Sequence, residues 1–161
     1  MVYSLDSAWD LSAVDRNGQL VLVVEVKRKL NASPQWAAQF RSNILAHGTF
    51  PNAPYTLIVF PDKFYLWTDV QGQLDRRGLI DREPDYTIDA RPILQPYFDK
   101  ANVTADSISS LNLELIVLVW LSELIYSGKS AETLDKSLNW FIESGLYAAL
   151  AGGQIKHEGV A

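Results

Sequence analysis

The dipeptide Asn17-Gly18 separates two β-prone runs, residues 9–14 and 20–26. Asn-Gly in such a setting is the strongest short-range hairpin signal, because a type I′ turn needs φ > 0 at both central residues. The hairpin constrains the rest of the fold, because its register decides which polar residues meet. A two-residue loop pairs Arg16 with Gln19, Val14 with Val21 and Ser12 with Val23, which sets Asp10 opposite Glu25. Residues two apart on a strand share a face, so Asp10, Glu25 and Lys27 then converge. A three-residue loop with a bulge would pair Asp15 with Gln19, place Asp10 opposite Val24 and send Glu25 to the other face. The first register gathers the polar groups and is preferred.

Two carboxylates directly opposite each other repel, and here their neighbours are apolar. Something must offset the repulsion and the desolvation. The candidates are the Lys27 ammonium and a divalent cation. Asp and Glu oxygens suit a hard cation such as Mg²⁺ or Mn²⁺ that keeps several waters.

Leu20 to Val26 is apolar almost without period, which predicts a central strand covered on both faces. Ser33 and Pro34 form a helix start. The helix runs to about Ala46, with Gly48 placed to end it. Trp36, Phe40 and Ile44 make its apolar stripe, while Gln35, Gln39 and Ser42 share another face. Residues 55–60 and 64–68 read as strands around a Pro61-Asp62-Lys63 turn. Residues 71–104 read as irregular. The last third reads as helical, with Asp106 or Ser107 capping a helix through Tyr126 and Ser130 capping another. Residues 115–121 are seven unbroken apolar residues between Glu114 and Glu123, too short to span a membrane. The tail from Gly152 reads as frayed.

A chain of 161 residues is one domain's length, with no linker or repeat. It has no cysteine and two histidines, which excludes disulfide scaffolds, thiolate metal sites and cysteine nucleophiles, and disfavours a Ser-His-Asp triad. The start lacks a basic region followed by an apolar one, so no signal peptide is expected and the cytoplasm is the expected compartment. The net charge of −5 opposes nucleic-acid binding until it is divided. Residues 1–80 hold eight Lys/Arg and seven Asp/Glu, whereas residues 81–161 hold six and twelve. An anionic substrate therefore belongs to the first half.

The segment Trp9-Asp10, a hairpin, Val24-Glu25-Val26-Lys27 and then a helix bearing glutamines resembles the core of the PD-(D/E)XK nuclease superfamily. The resemblance covers roughly residues 5–68. Residues 60–67 resemble stretches in an uncharacterised bacterial branch of it. It implies an α/β, restriction-endonuclease-like mixed sheet flanked by helices, here with an extra helical C-terminal region. It implies Mg²⁺-dependent hydrolysis of phosphodiester bonds in DNA. Asp10 and Glu25, with the main-chain carbonyl of Val26, would hold the cation. Lys27 would orient or deprotonate the attacking water, or stabilise charge on the phosphate. Gln39 or Gln35 resembles the helix glutamine that several branches place beside the site. The superfamily usually begins with a helix that often carries another acid. Asp6 or the last helices are the candidates for that place. Arg28, Lys29 and Arg41 are expected phosphate contacts, with Arg76 and Arg77 weaker ones. The alternative is a catalytically inactive nuclease-like fold that binds a protein partner or a second copy through its C-terminal helices. Tyr65 and Trp67 are expected to pack in the sheet rather than stack on bases, His47 to meet a helix end, and Asp62 to serve a turn.

Overall fold

The structure, a computed structural model, describes residues 9–46, 51, 53–68, 82–127 and 131–158. Its frame is a six-stranded mixed sheet in the order β5-β4-β3-β2-β1-β6. β1 (Leu11–Val14) and β2 (Leu20–Val26) form the hairpin. After α1 (Pro34–Ala46), β3 (Tyr55–Val59) returns parallel to β2. β4 (Lys63–Thr68) and β5 (Tyr86–Asp89) extend the sheet antiparallel on one side. β6 (Gln154–His157) closes the other edge against β1.

α1 starts as its sequence requires, with the Ser33 hydroxyl accepting the Trp36 N–H at 3.0 Å. It covers one face of the sheet, setting Ala37 and Ala38 against Ile58 and Leu45 against Val23. The other face carries the main core. There Leu22, Val24, Leu57 and Leu66 pack against α2 (Arg91–Ala101), α3 (Ser110–Tyr126), α4 (Asn139–Glu143) and α5 (Leu146–Leu150). β2, covered on both sides, explains the missing period in its sequence.

Several expectations are corrected. The stretch 71–104, read as irregular, contains β5 and α2 where it is described. Pro92 and Pro96 disguised α2, but Pro92 sits at its tolerated start and the helix buries Ile93, Leu94 and Phe98. α3 is capped by Ser109, whose hydroxyl accepts the Asn112 N–H at 3.1 Å. Ser107 and Asp106 instead bond Thr104 within their own turn. The second helix expected in this region breaks into 3-10 turns at Ala131–Thr133 and Lys136–Leu138 followed by α4. The Asp135 carboxylate restarts it by accepting from the Ser137 N–H and hydroxyl. Ser130, Gly48, His47, Asp6, Arg76 and Arg77 lie outside the described residues. The tail is ordered as β6, because pairing with β1 satisfies an otherwise open sheet edge.

Gly153 is buried where the chain passes from α5 into β6. A Cβ there would meet the Val14 carbonyl oxygen at 1.9 Å, so backbone must move. Gly153→Ala is expected to cost about 2–4 kcal/mol, the range of a forced core clash. Urea unfolding with an unchanged m-value measures it, and a loss below about 0.5 kcal/mol refutes it.

Candidate functional site

The hairpin reaches the preferred register by an unexpected route. Gly18 alone in its turn has positive φ, at +82°, so the loop is not type I′. The Asp15 N–H donates to the Gln19 carbonyl at 2.9 Å, and the Asp15 carboxylate takes the N–H groups of Asn17 and Gln19. This is the three-residue loop. A register shift between Ala13 and Val14 then adds one residue on β2. Val14 faces Leu20, whereas Ala13 faces Leu22 and Ser12 faces Val23. The bulge cancels the longer loop, and Asp10 meets Glu25 as the two-residue register requires.

The contact between them is close. The Asp10 N–H donates to Glu25 Oε1 at 3.1 Å, and the Val26 N–H donates to Asp10 Oδ2 at 2.8 Å. Burial, and then the charge of Asp10, push the Glu25 carboxyl up to about 8. Asp10 is also raised by burial, against the pull of the Val26 N–H. At neutral pH the Glu25 carboxyl therefore keeps its proton and donates it to Asp10. Repulsion is offset by a shared proton and two main-chain N–H groups.

Three further groups, from elements late in the chain, act on the pair or its strand. Glu114 of α3 bonds His157 of β6, Oε1 to Nε2, at 2.5 Å, with both side chains mostly buried. The charge of Glu114 raises both carboxyls, while His157 lowers Asp10. The Glu158 N–H donates to the Asp10 carbonyl at 2.9 Å, and the Glu158 carboxylate accepts from the Ser12 hydroxyl. Sequence reasoning missed these groups. The available signals were an acid at the edge of the apolar run 115–121 and the alternation of Ile155 and His157 in the tail.

The basic residues lie to one side. Lys27 follows β2, its N–H on the Val59 carbonyl at 2.9 Å and its exposed Nζ 5.7 Å from the Phe40 ring centre. Among the described residues it makes no ion pair with Asp10 or Glu25. Arg28 and Gln39 are exposed. Lys29 Nζ lies 4.9 Å from the Trp36 ring centre. Gln35 donates to Glu83 at 3.0 Å. Arg41 is buried, its guanidinium 5.2 Å from the Trp67 ring centre, so it packs where a surface phosphate contact was expected. Tyr65 and Trp67 are fully buried and bond the carbonyls of Ala32 and Arg82. Asp62 accepts the N–H of Asn31, a residue of positive φ, at 3.1 Å.

Two carboxylates, joined by the carbonyl of Val26 that follows Glu25 in sequence, would be the donor chemistry of a hard cation that retains waters. Each carboxylate commits one oxygen to a main-chain N–H. Among the described residues no group of three or more His, Asp or Glu side chains gathers at metal-holding spacing. A cation would therefore rest on the pair, the carbonyl and water, and would displace the shared proton.

What the geometry defines is a mixed α/β protein with a six-stranded sheet and a half-buried pair of carboxylates, each accepting a main-chain N–H across the hairpin. No family model, no curated protein and no solved structure matches the chain. Among the described residues no helix is long and apolar enough to cross a membrane.

Proposed function

We propose that this chain is a restriction-endonuclease-like hydrolase of phosphodiester bonds in DNA, dependent on Mg²⁺ or Mn²⁺. The observation that carries the reading is the contact of Asp10 with Glu25 on adjacent strands, with Lys27 two residues beyond Glu25. Burying two acids together destabilises the metal-free protein, and a cation converts that cost into affinity. The order hairpin, helix, parallel strand supports the fold assignment. Asp10, Glu25 and the Val26 carbonyl hold the cation, which when bound polarises the phosphate and lowers the pKa of its water. Lys27 leaves Phe40 to meet the phosphate, or orients the attacking water. Arg28 and Lys29 hold flanking phosphates, and Gln39 lies on the helix beside them.

The test is cleavage of plasmid or branched DNA by the purified protein with Mg²⁺ or Mn²⁺. Glu25→Gln and Lys27→Ala are each expected to lower the rate by at least ~100-fold, the scale of losing preorganised charge at a reacting phosphate. Absence of both cleavage and metal binding overturns the reading, as do variants that match the parent.

One observation favours a second reading, a nuclease-like fold that binds a partner without turnover. Lys27 lies over Phe40 rather than beside the carboxylates. The exposed Leu111, Leu115 and Val119 of α3 would supply the partner surface, for a protein or a second copy. That reading expects metal binding without cleavage, and a sedimentation coefficient that falls when Leu115 is replaced by Gln.

A further inference from the structure

Trp36, Phe40 and Ile44 make the apolar stripe of α1, yet the residues this helix buries most deeply include the small Ala37, Ala38 and Ser42. Ala37 and Ala38 are nearly inaccessible, while Trp36 and Phe40 are only half-buried at the margin. Their rings stack on each other, with centroids 5.3 Å apart and planes 26° off parallel. The edge of Phe60 supports Trp36 from the sheet side at 5.9 Å. Among the described residues no apolar side chain is seen stacked on the outer face of this ridge. Two ammonium groups lie over it, Lys29 over Trp36 at 4.9 Å and Lys27 over Phe40 at 5.7 Å. Exposed Arg28 stands between them in sequence. Of the nearby acids, Asp62 is engaged by Asn31 and Glu83 by Gln35.

An exposed cation–π contact is weak, whereas a nucleobase stacked on an aromatic side chain is held more firmly. A base arriving on the ridge displaces a flexible lysine, and the lysine then meets the phosphate attached to that base. Bases inside a duplex are already stacked and cannot use such a surface. Lys27 lies two residues beyond Glu25, roughly 7 Å along the same strand line, so an occupant of the ridge adjoins the carboxylate pair. We infer that the Trp36–Phe40 ridge is a stacking platform for unpaired bases, with Lys27 and Lys29 taking the adjoining phosphates. The substrate class is then single-stranded nucleic acid, or the unpaired part of a branched one. This assignment rests on the nuclease reading for its purpose but not for its test.

The test measures binding without turnover, using the full-length Glu25→Gln protein in EDTA. Fluorescence anisotropy compares labelled oligo(dT) with a duplex of equal length. The single strand is expected to bind at least ~10-fold more tightly. Trp36→Leu and Phe40→Leu are each expected to weaken it by ~10-fold, the scale of one lost base stack. Lys27→Gln and Lys29→Gln should each reduce the slope of log affinity against log salt by about 0.7. If circular dichroism shows that Trp36→Leu fails to fold, Lys29→Glu carries the test, with a loss of at least ~10-fold expected. Equal affinity for duplex and single strand, or unchanged binding by folded variants, overturns the platform. Cleavage by the wild type with no single-strand preference leaves the nuclease standing and removes the platform. Single-strand binding with no wild-type cleavage does the reverse.

Discussion

Glu25→Gln is expected to stabilise the metal-free protein by about 3 kcal/mol more at pH 8.5 than at pH 5.5. The sign follows from where the proton sits. Glu25 titrates near 8 in the folded chain, raised by burial and by Asp10, against an ordinary 4.5. Between those values the folded state holds a proton that the unfolded state has released. The contribution of Glu25 to stability is therefore greatest below about 4.5 and falls as pH rises toward 8, by about 1.3 kcal/mol per pH unit at most. Asp10, also raised, adds in the same direction at lower pH. Glutamine keeps the geometry, because its carbonyl can accept the Asp10 N–H and its amide can donate to the Asp10 carboxylate. It never ionises, so its stability does not fall across that window. For a chain of this size the gain in Tm at pH 8.5 exceeds that at pH 5.5 by roughly 6–12 °C. Mg²⁺ should raise the wild-type Tm more at pH 8.5 than at pH 6, because binding expels the shared proton. It should leave Glu25→Gln little changed. Parallel Tm–pH curves for the two proteins would refute the shared proton.

The carboxylate pair was legible because strand pairing is a local rule. Asn17-Gly18 announced the hairpin, and apolar residues on β2 fixed the faces, so Asp10 and Glu25 could be set opposite each other. The turn itself was misjudged. The Asp15 carboxylate takes the N–H groups of Asn17 and Gln19 and favours the longer loop, and one extra residue on β2 restores the register. Burial of the hydrophobic face over-determines the strands, while the turn adapts. β6 was not legible for the opposite reason. Gln154-Ile155-Lys156-His157 has weak propensity, and its strand exists because β1 offers an open edge. With β6 go His157 and Glu158, and Glu114 reaches the pair only because α3 packs across the sheet. Their roles depend on contacts far apart along the chain (Ser12 to Glu158 spans 146 residues and Glu114 to His157 spans 43). Propensity and spacing carry no record of such contacts. Trp36 and Phe40 were placed on the apolar stripe of the right helix, but helical periodicity does not tell the centre of a core from its margin, where they lie half-buried.

Asp10→Ala should separate the structural share of the pair from its chemical share. Removing the carboxylate leaves the Val26 N–H without its acceptor and the Glu25 carboxyl without the group that takes its proton. An unmet buried polar group costs about 1–3 kcal/mol, so a loss of about 2–4 kcal/mol is expected at pH 6. Part of this is recovered at pH 8.5, because the variant no longer sets one charge against another. Asp10→Asn should cost less than about 1 kcal/mol at pH 6, since its amide oxygen can still accept the Val26 N–H and its amide can donate to Glu25. Relieved of a neighbouring charge, Glu25 then titrates closer to its ordinary range, and the Tm–pH profile flattens. Both variants remove one of the two carboxylates that a divalent cation needs, so both should lose cleavage and the stabilisation by Mg²⁺. Chemical unfolding at the two pH values, with a Mg²⁺ titration at each, measures all of this. If Asp10→Asn proves as costly as Asp10→Ala, the Val26 contact is not what holds the strand end. If Asp10→Asn retains cleavage, Asp10 does not hold the cation.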